Sequence, residues 1–107
     1  MVVSLPLYTN LLNGNQTPES VHKYLSNYYK DEAFIKVMPF GEEPGEGNML
    51  SGNVCSGWDG LQIYVAGNDD RILVSSRFDN LGKGASGAAI QCLNIVLGCE
   101  ENKGLNL

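Results

Sequence analysis

Leu61-Gln62-Ile63-Tyr64-Val65 and Ile72-Leu73-Val74-Ser75-Ser76-Arg77-Phe78 bracket Gly67-Asn68-Asp69-Asp70, and this stretch decides the fold. Two runs rich in β-branched and aromatic residues around a glycine, an asparagine and two aspartates are the composition of a tight hairpin. Two antiparallel strands therefore form the centre from which the rest is placed. Upstream, Val2-Val3-Ser4-Leu5-Pro6-Leu7-Tyr8 has the same extended character, and Pro6, which has no N–H to give a ladder, puts this strand at an edge or ends it. Phe34-Ile35-Lys36-Val37-Met38 reads as a further strand.

Between these strands Asn13-Gly14-Asn15 is turn chemistry, and Thr17-Pro18-Glu19 offers an N-cap oxygen, a proline at N1 and an acid beside the positive end of a helix dipole. Val21, Tyr24, Leu25 and Tyr28 then fall at i, i+3, i+4 and i+7, one apolar stripe that packs on a sheet or a partner. After the hairpin, Ala88, Ala89, Ile90, Cys92, Leu93, Val96 and Leu97 make an apolar helix, with Ser86 expected as its cap and Gly98 as its left-handed end. The order is β-α-β-β-β-α, an α+β fold on a mixed or mainly antiparallel four-stranded sheet with helices packed on it. From Pro39 to Gly60 the chain is rich in glycine and short of apolar periodicity, which reads as a long loop of the kind that is functional, mobile or in contact with another chain.

The 107 residues suffice for one domain, spanning 1–107, and 43% hydrophobic against 18% charged residues can fill a core. Seven basic and twelve acidic residues give a net charge of −5, which repels phosphate backbones and anionic lipids, so neither nucleic acid nor a membrane is an expected partner. The longest late uncharged run, residues 84–99, holds 16 residues of mixed character, short of the roughly 20 apolar residues of a spanning helix. The N-terminus has no basic leader, and Pro6, Asn10 and Asn13 interrupt any apolar core, so it does not read as a signal peptide. Cys55, Cys92 and Cys99 match neither a zinc pattern nor a dense disulfide framework, which suits reduced thiols in the cytoplasm.

Gly82-Lys83-Gly84-Ala85-Ser86-Gly87 spells G-x-G-x-x-G after a strand and before a helix. A dinucleotide fingerprint needs a second parallel strand after the helix and an acid about 20 residues on. Only nine residues follow Gly98. A flexible strand-to-helix turn, or one wall of an anion site with Lys83 beside the helix start, are the other readings. His22 is the only histidine and is expected to face solvent on the first helix, with no second metal ligand near it. Glu42, Glu43 and Glu46 lack calcium-loop spacing and read as a solvated acidic loop. Trp58 and Tyr64 read as packing residues, Cys92 and Cys99 as small thiols buried on or near the last helix, and Cys55 lacks a base to activate it.

The segment Asp79-Asn80-Leu81-Gly82-Lys83-Gly84-Ala85-Ser86-Gly87-Ala88-Ala89-Ile90-Gln91-Cys92-Leu93-Asn94 and on to Gly98 resembles the C-terminal signature of the N-acetyl-gamma-glutamyl-phosphate reductases, short form, in the semialdehyde dehydrogenase superfamily. Met1-Val2-Val3-Ser4-Leu5-Pro6-Leu7, the stretch Tyr29-Lys30-Asp31-Glu32-Ala33-Phe34-Ile35-Lys36-Val37, Leu50-Ser51-Gly52-Asn53 and Ile63-Tyr64-Val65-Ala66-Gly67-Asn68 are similar, in order, to further stretches of that family. Cys92 stands where the family usually has asparagine. The resemblance implies the last third of a larger enzyme, its substrate and dimerisation part, with Met1 falling inside the family sequence. It implies a parent that reduces an acyl phosphate to a semialdehyde with NADPH through a thioester on cysteine, in arginine biosynthesis. The nucleotide-binding half, the cysteine nucleophile and the acid/base histidine have no counterpart here, so no catalytic residue is assigned and the isolated chain is expected to be inactive. Asn80 and Gly84 are implied to approach the nicotinamide side of NADP, with Lys83 and Gln91 as further candidates. The missing nucleotide-binding domain and a second copy of the chain are the expected partners. A free-standing dimeric interaction or small-ligand regulatory module is the competing reading.

Overall fold

Alternating side chains on paired strands sort the sheet into two faces, and the hairpin fixes which residues belong to each. The computed structural model describes residues 1–41 and 49–107. Its elements are β1 (Val2–Tyr8), α1 (Pro18–Tyr28), β2 (Ile35–Val37), β3 (Leu61–Gly67), β4 (Arg71–Phe78) and α2 (Gly87–Val96), with a 3-10 turn at Thr9–Leu11 and a π-helical turn at Gly82–Ser86. One mixed four-stranded sheet has the order β1-β4-β3-β2, antiparallel except for the parallel β2–β3 pair. The α+β order read from the sequence is the one observed.

Asn68 closes the hairpin: its Oδ1 accepts from the backbone N–H of Asp70 and Arg71, and its own N–H donates to Arg71 O at 2.8 Å. Gly67 has φ +125°, and a Cβ there would lie 2.2 Å from Arg71 O, so only glycine fits. β1 sits at the sheet edge. Met1 and Thr9 direct their nitrogens at β4, bonding Phe78 O and Asp70 O, so by alternation the nitrogen of Pro6 lies on the open side where no ladder bond is lost.

α1 begins as its sequence requires: Thr17 Oγ1 accepts from Ser20 N–H and Ser20 Oγ accepts from Thr17 N–H, a closed capping box with Pro18 buried at N1. Ile63, Val65 and Ile72 are buried on the sheet face beneath α1, and Phe34 and Cys55 complete the buried apolar set among the described residues. The apolar stripe of α1 is only half covered, however. Val21 and Leu25 are partly buried, while Tyr24 and Tyr28 stay about two-thirds exposed and stack on each other. The reason is the sheet edge: Val21, Tyr24 and Leu25 face Leu5, Leu7 and Val74 across an open cleft of about 660 Å³.

α2 departs from expectation at both its start and its surroundings. Ser86 has helical dihedrals and makes no cap; its hydroxyl donates back to Leu81 O at 2.8 Å, because the helix already begins in the π turn. Gly98 (φ +66°) ends it, with Cys99 N–H donating to Asn94 O. Leu93, Ile95, Val96 and Leu97 remain exposed, and Cys92 is exposed rather than buried, with Cys99 half-buried. An apolar pattern that runs all round a helix does not say which side is covered, and here little of it is. The radius of gyration, 15.2 Å, exceeds the roughly 13 Å of a compact domain this size, consistent with extents of 44 × 31 × 19 Å.

Candidate functional site

Glycines follow β4 where the chain must tighten, and of the four residues singled out from the sequence Lys83 and Gly84 lie in the π turn, Asn80 just before it and Gln91 on α2. Gly84, Ser86 and Gly87 donate their N–H groups to Asp79 O, Leu81 O and Gly82 O, bonds of i to i−5 spacing that make Gly82–Ser86 a π turn. Those N–H groups are spent internally and do not fan out toward an anion. The G-x-G-x-x-G stretch is thus a hydrogen-bonded π turn joining β4 to α2. Asn80, exposed at the end of β4, lies against Gly84, where a Cβ would come within 2.9 Å of its Oδ1. Lys83 donates from Nζ to Gln91 Oε1 and sits 4.7 Å from the centre of the Phe34 ring, a cation over an aromatic face. Gln91 in turn donates to Glu101 Oε1 at 2.6 Å.

Two aspartates that sequence reading passed over anchor this turn. Asp79 accepts from Gly57 N–H at 2.7 Å and from Leu81 N–H at 3.0 Å. The bonds from Gly57 and then Leu81 hold the Asp79 carboxyl below its ordinary value of 3.8 against the opposing effect of desolvation, with lesser help from Gly82 and the N-terminal charge. A lowered folded pKa contributes stability that is present above 3.8 and is lost as pH falls through the folded value. Asp79→Asn is therefore expected to unfold at lower denaturant than wild type at about pH 7, with the gap closing toward about pH 3. A gap that stays constant across that range would show that the carboxylate charge does not matter. Asp59 sets its Oδ1 between Gly82 and Gly87, where added Cβ atoms would meet it at 2.8 and 2.2 Å.

On the sheet face opposite α1, Gln62, Tyr64, Ser75 and Arg77 stand together, and Arg77 is only 5% exposed. Its Nε donates to Gln62 Oε1 at 3.0 Å and its Nη2 to Tyr64 Oη at 2.7 Å, with the guanidinium over the Tyr64 ring. Cys55 is buried here, its Sγ 3.7 Å from Gln62 Oε1 and 3.8 Å from Arg77 O, and no histidine stands by to draw off its proton. The signal for this cluster was the period-2 placement of polar residues on neighbouring strands. Trp58 packs flat over Gly60, as expected of a packing residue. His22 does not face solvent: it is half-buried, its Nε2 is 2.9 Å from Met38 O, and its ring rests near Phe40. The chain leaving β2 folds back over that side of α1, which the helix pattern alone does not reveal. Glu42, Glu43 and Glu46 lie outside the described residues. Among the described residues no group of three or more histidines, cysteines or acids is placed to hold a metal, and no helix is long and apolar enough to cross a membrane.

No family model matches the chain. Individual relatives do. N-acetyl-gamma-glutamyl-phosphate reductase 2 of Nostoc sp. (strain PCC 7120) is 41% identical over 110 residues, covering 98% of this chain and 34% of the relative. N-acetyl-gamma-glutamyl-phosphate reductases of Clostridium botulinum and Corynebacterium efficiens are 41% and 42% identical over 88 and 89 residues, each covering 24% of the relative. The chain thus spans about a third or less of the length of these curated relatives.

Proposed function

We propose, on the premise that this chain matches the C-terminal portion of the N-acetyl-gamma-glutamyl-phosphate reductases, that it supplies the substrate and dimerisation domain of such an enzyme and is inactive alone. The observation that carries this reading is the coverage: nearly all of this chain aligns, with about two-thirds of the Nostoc relative left over. The parent reaction would take an acyl phosphate, NADPH and a proton to a semialdehyde, phosphate and NADP, in the cytoplasmic synthesis of arginine. The leftover part would bring the nucleotide-binding domain, the nucleophile and the acid/base group. The buried thiol of Cys55 and the carbonyl-bound His22 support that division, since neither is set up for acyl transfer.

The π turn suits one end of the cofactor and not the other. The N–H groups of Gly84, Ser86 and Gly87 are engaged within the chain, so they offer no cradle for pyrophosphate. The exposed amide of Asn80, seated against Gly84, and the Lys83 charge fit the polar carboxamide edge of a nicotinamide ring, with Gln91 holding Lys83 in place. NADPH bound there would supply the hydride; the residues of this chain would bind and orient its ring. With only that wall present, calorimetry is expected to detect no NADPH binding tighter than about millimolar, which corresponds to about 4 kcal/mol. A micromolar constant for this chain alone would overturn the division of labour.

A further inference from the structure

We propose that the C-terminal tail, residues 99–107, is a positioning strap that holds Lys83, Gln91 and the π turn in their working arrangement. The tail is fastened at three separate places. Asn94, buried on α2, donates both protons of its amide to tail carbonyls, Glu101 O and Lys103 O, each at 2.9 Å. Glu101 accepts from Gln91, whose other amide atom accepts from Lys83, so a tail carboxylate fixes which way the Gln91 amide points and thereby gives Lys83 an oxygen rather than an NH2 group. Asn106 meets Asp59 twice, accepting from Asp59 N–H at 2.8 Å and donating to its Oδ2 at 2.9 Å, and its side-chain amide donates to Gly57 O.

Asp59 is the second half of the device. With Oδ2 bound to the tail, its other oxygen is seated against Gly82 and Gly87, the two glycines at the ends of the turn, and Gly57 is held from the far side by Asp79. The glycines of this stretch are therefore seats for a carboxylate and an amide of the same chain, and the tail decides whether the carboxylate stays seated. Asp59 and Glu101 are positioning residues: each acts on Lys83, Gln91 or the turn through another group.

The strap rests on the cofactor-side reading of Asn80, Lys83, Gly84 and Gln91, and it is tested without NADPH, so its failure and a failed NADPH titration are told apart. In the full 107-residue chain, chemical acylation of Lys83 is measured relative to Lys30, whose side chain is exposed. Glu101→Ala is expected to raise relative labelling of Lys83 severalfold, and Glu101→Gln, which keeps an acceptor oxygen for the Gln91 amide, to stay near wild type. Equal labelling in the alanine variant and wild type would overturn the Glu101 link. Asn106→Pro removes both the backbone N–H that Asp59 Oδ2 accepts and the side-chain amide on Gly57 O, and its hydrogen exchange is expected to quicken about tenfold at the amides of Gly84, Ser86 and Gly87, the effect of one hydrogen bond of ordinary strength, with β3 and β4 unchanged. Unchanged exchange at the turn, or a speed-up shared by the whole sheet, would show that the tail positions nothing.

Discussion

Ile72→Ala is expected to remove a large part of the chain's stability and to unfold at far lower urea than wild type at 25 °C. Ile72 is 1% exposed on the inner strand β4, near the hairpin, and pairs with Leu7 of β1 on one side and Gly67 of β3 on the other. Gly67 has no side chain to close a hole left beside it, so the cavity cannot collapse cheaply. Truncating a buried isoleucine costs about 2–5 kcal/mol, against a total of about 5–15 kcal/mol for an ordinary domain. The buried apolar set here is small, Phe34, Cys55, Ile63, Val65 and Ile72 among the described residues, which places the chain toward the low end. Leu73→Ala is the control: Leu73 is on the other face and 41% exposed, so its truncation should shift stability by about 0.5 kcal/mol or less. Urea unfolding of the two variants decides it, and equal midpoints would mean that the sheet face under α1 is not the core.

Wild type is expected to self-associate at micromolar concentration, and Leu93→Glu combined with Val96→Glu to be monomeric and equally well folded. Leu93, Ile95, Val96 and Leu97 are 54%, 59%, 81% and 64% exposed on a helix with few polar residues. Covering a large apolar side chain contributes about 1.5–3 kcal/mol, so three or four of them offset the loss of freedom on pairing. In the reading proposed above the same face would meet the nucleotide-binding domain of the complete enzyme, and a second copy takes its place when that domain is missing. Light scattering across a concentration series is the measurement. A wild-type chain that stays monomeric throughout would show that this helix face needs no cover.

Where one residue type at one position carries the signal, the sequence was readable. Thr17 before Pro18 marks the start of α1, Pro6 marks the edge strand, and Gly67-Asn68 marks the hairpin, each through a local backbone requirement that tertiary packing does not alter. The site was legible only in part. Asn80, Lys83, Gly84 and Gln91 lie on or beside the π turn, yet the groups that hold the turn come from outside it: Asp59 and Asn106 are 47 residues apart, and Glu101 belongs to a tail without periodicity. Arg77 was missed for a related reason. A strand residue of that type usually faces water, and its burial depends on Gln62 and Tyr64 arriving from β3. Glycine density at Gly82–Gly87 reads as freedom when the side chains of Asp59 and Asn80 fill the space that each glycine leaves.

As the proposed C-terminal share of a reductase, this chain is expected not to turn over by itself. The most direct test is phosphate-dependent reduction of NADP with N-acetylglutamate semialdehyde, measured for this chain alone and for this chain mixed with the part of the Nostoc relative that it does not cover. No turnover is expected from the chain alone, and turnover is expected only in the mixture. Turnover by the chain alone at an ordinary enzymatic rate, about 1 to 1,000 per second, with nothing added by the second part, would contradict that expectation.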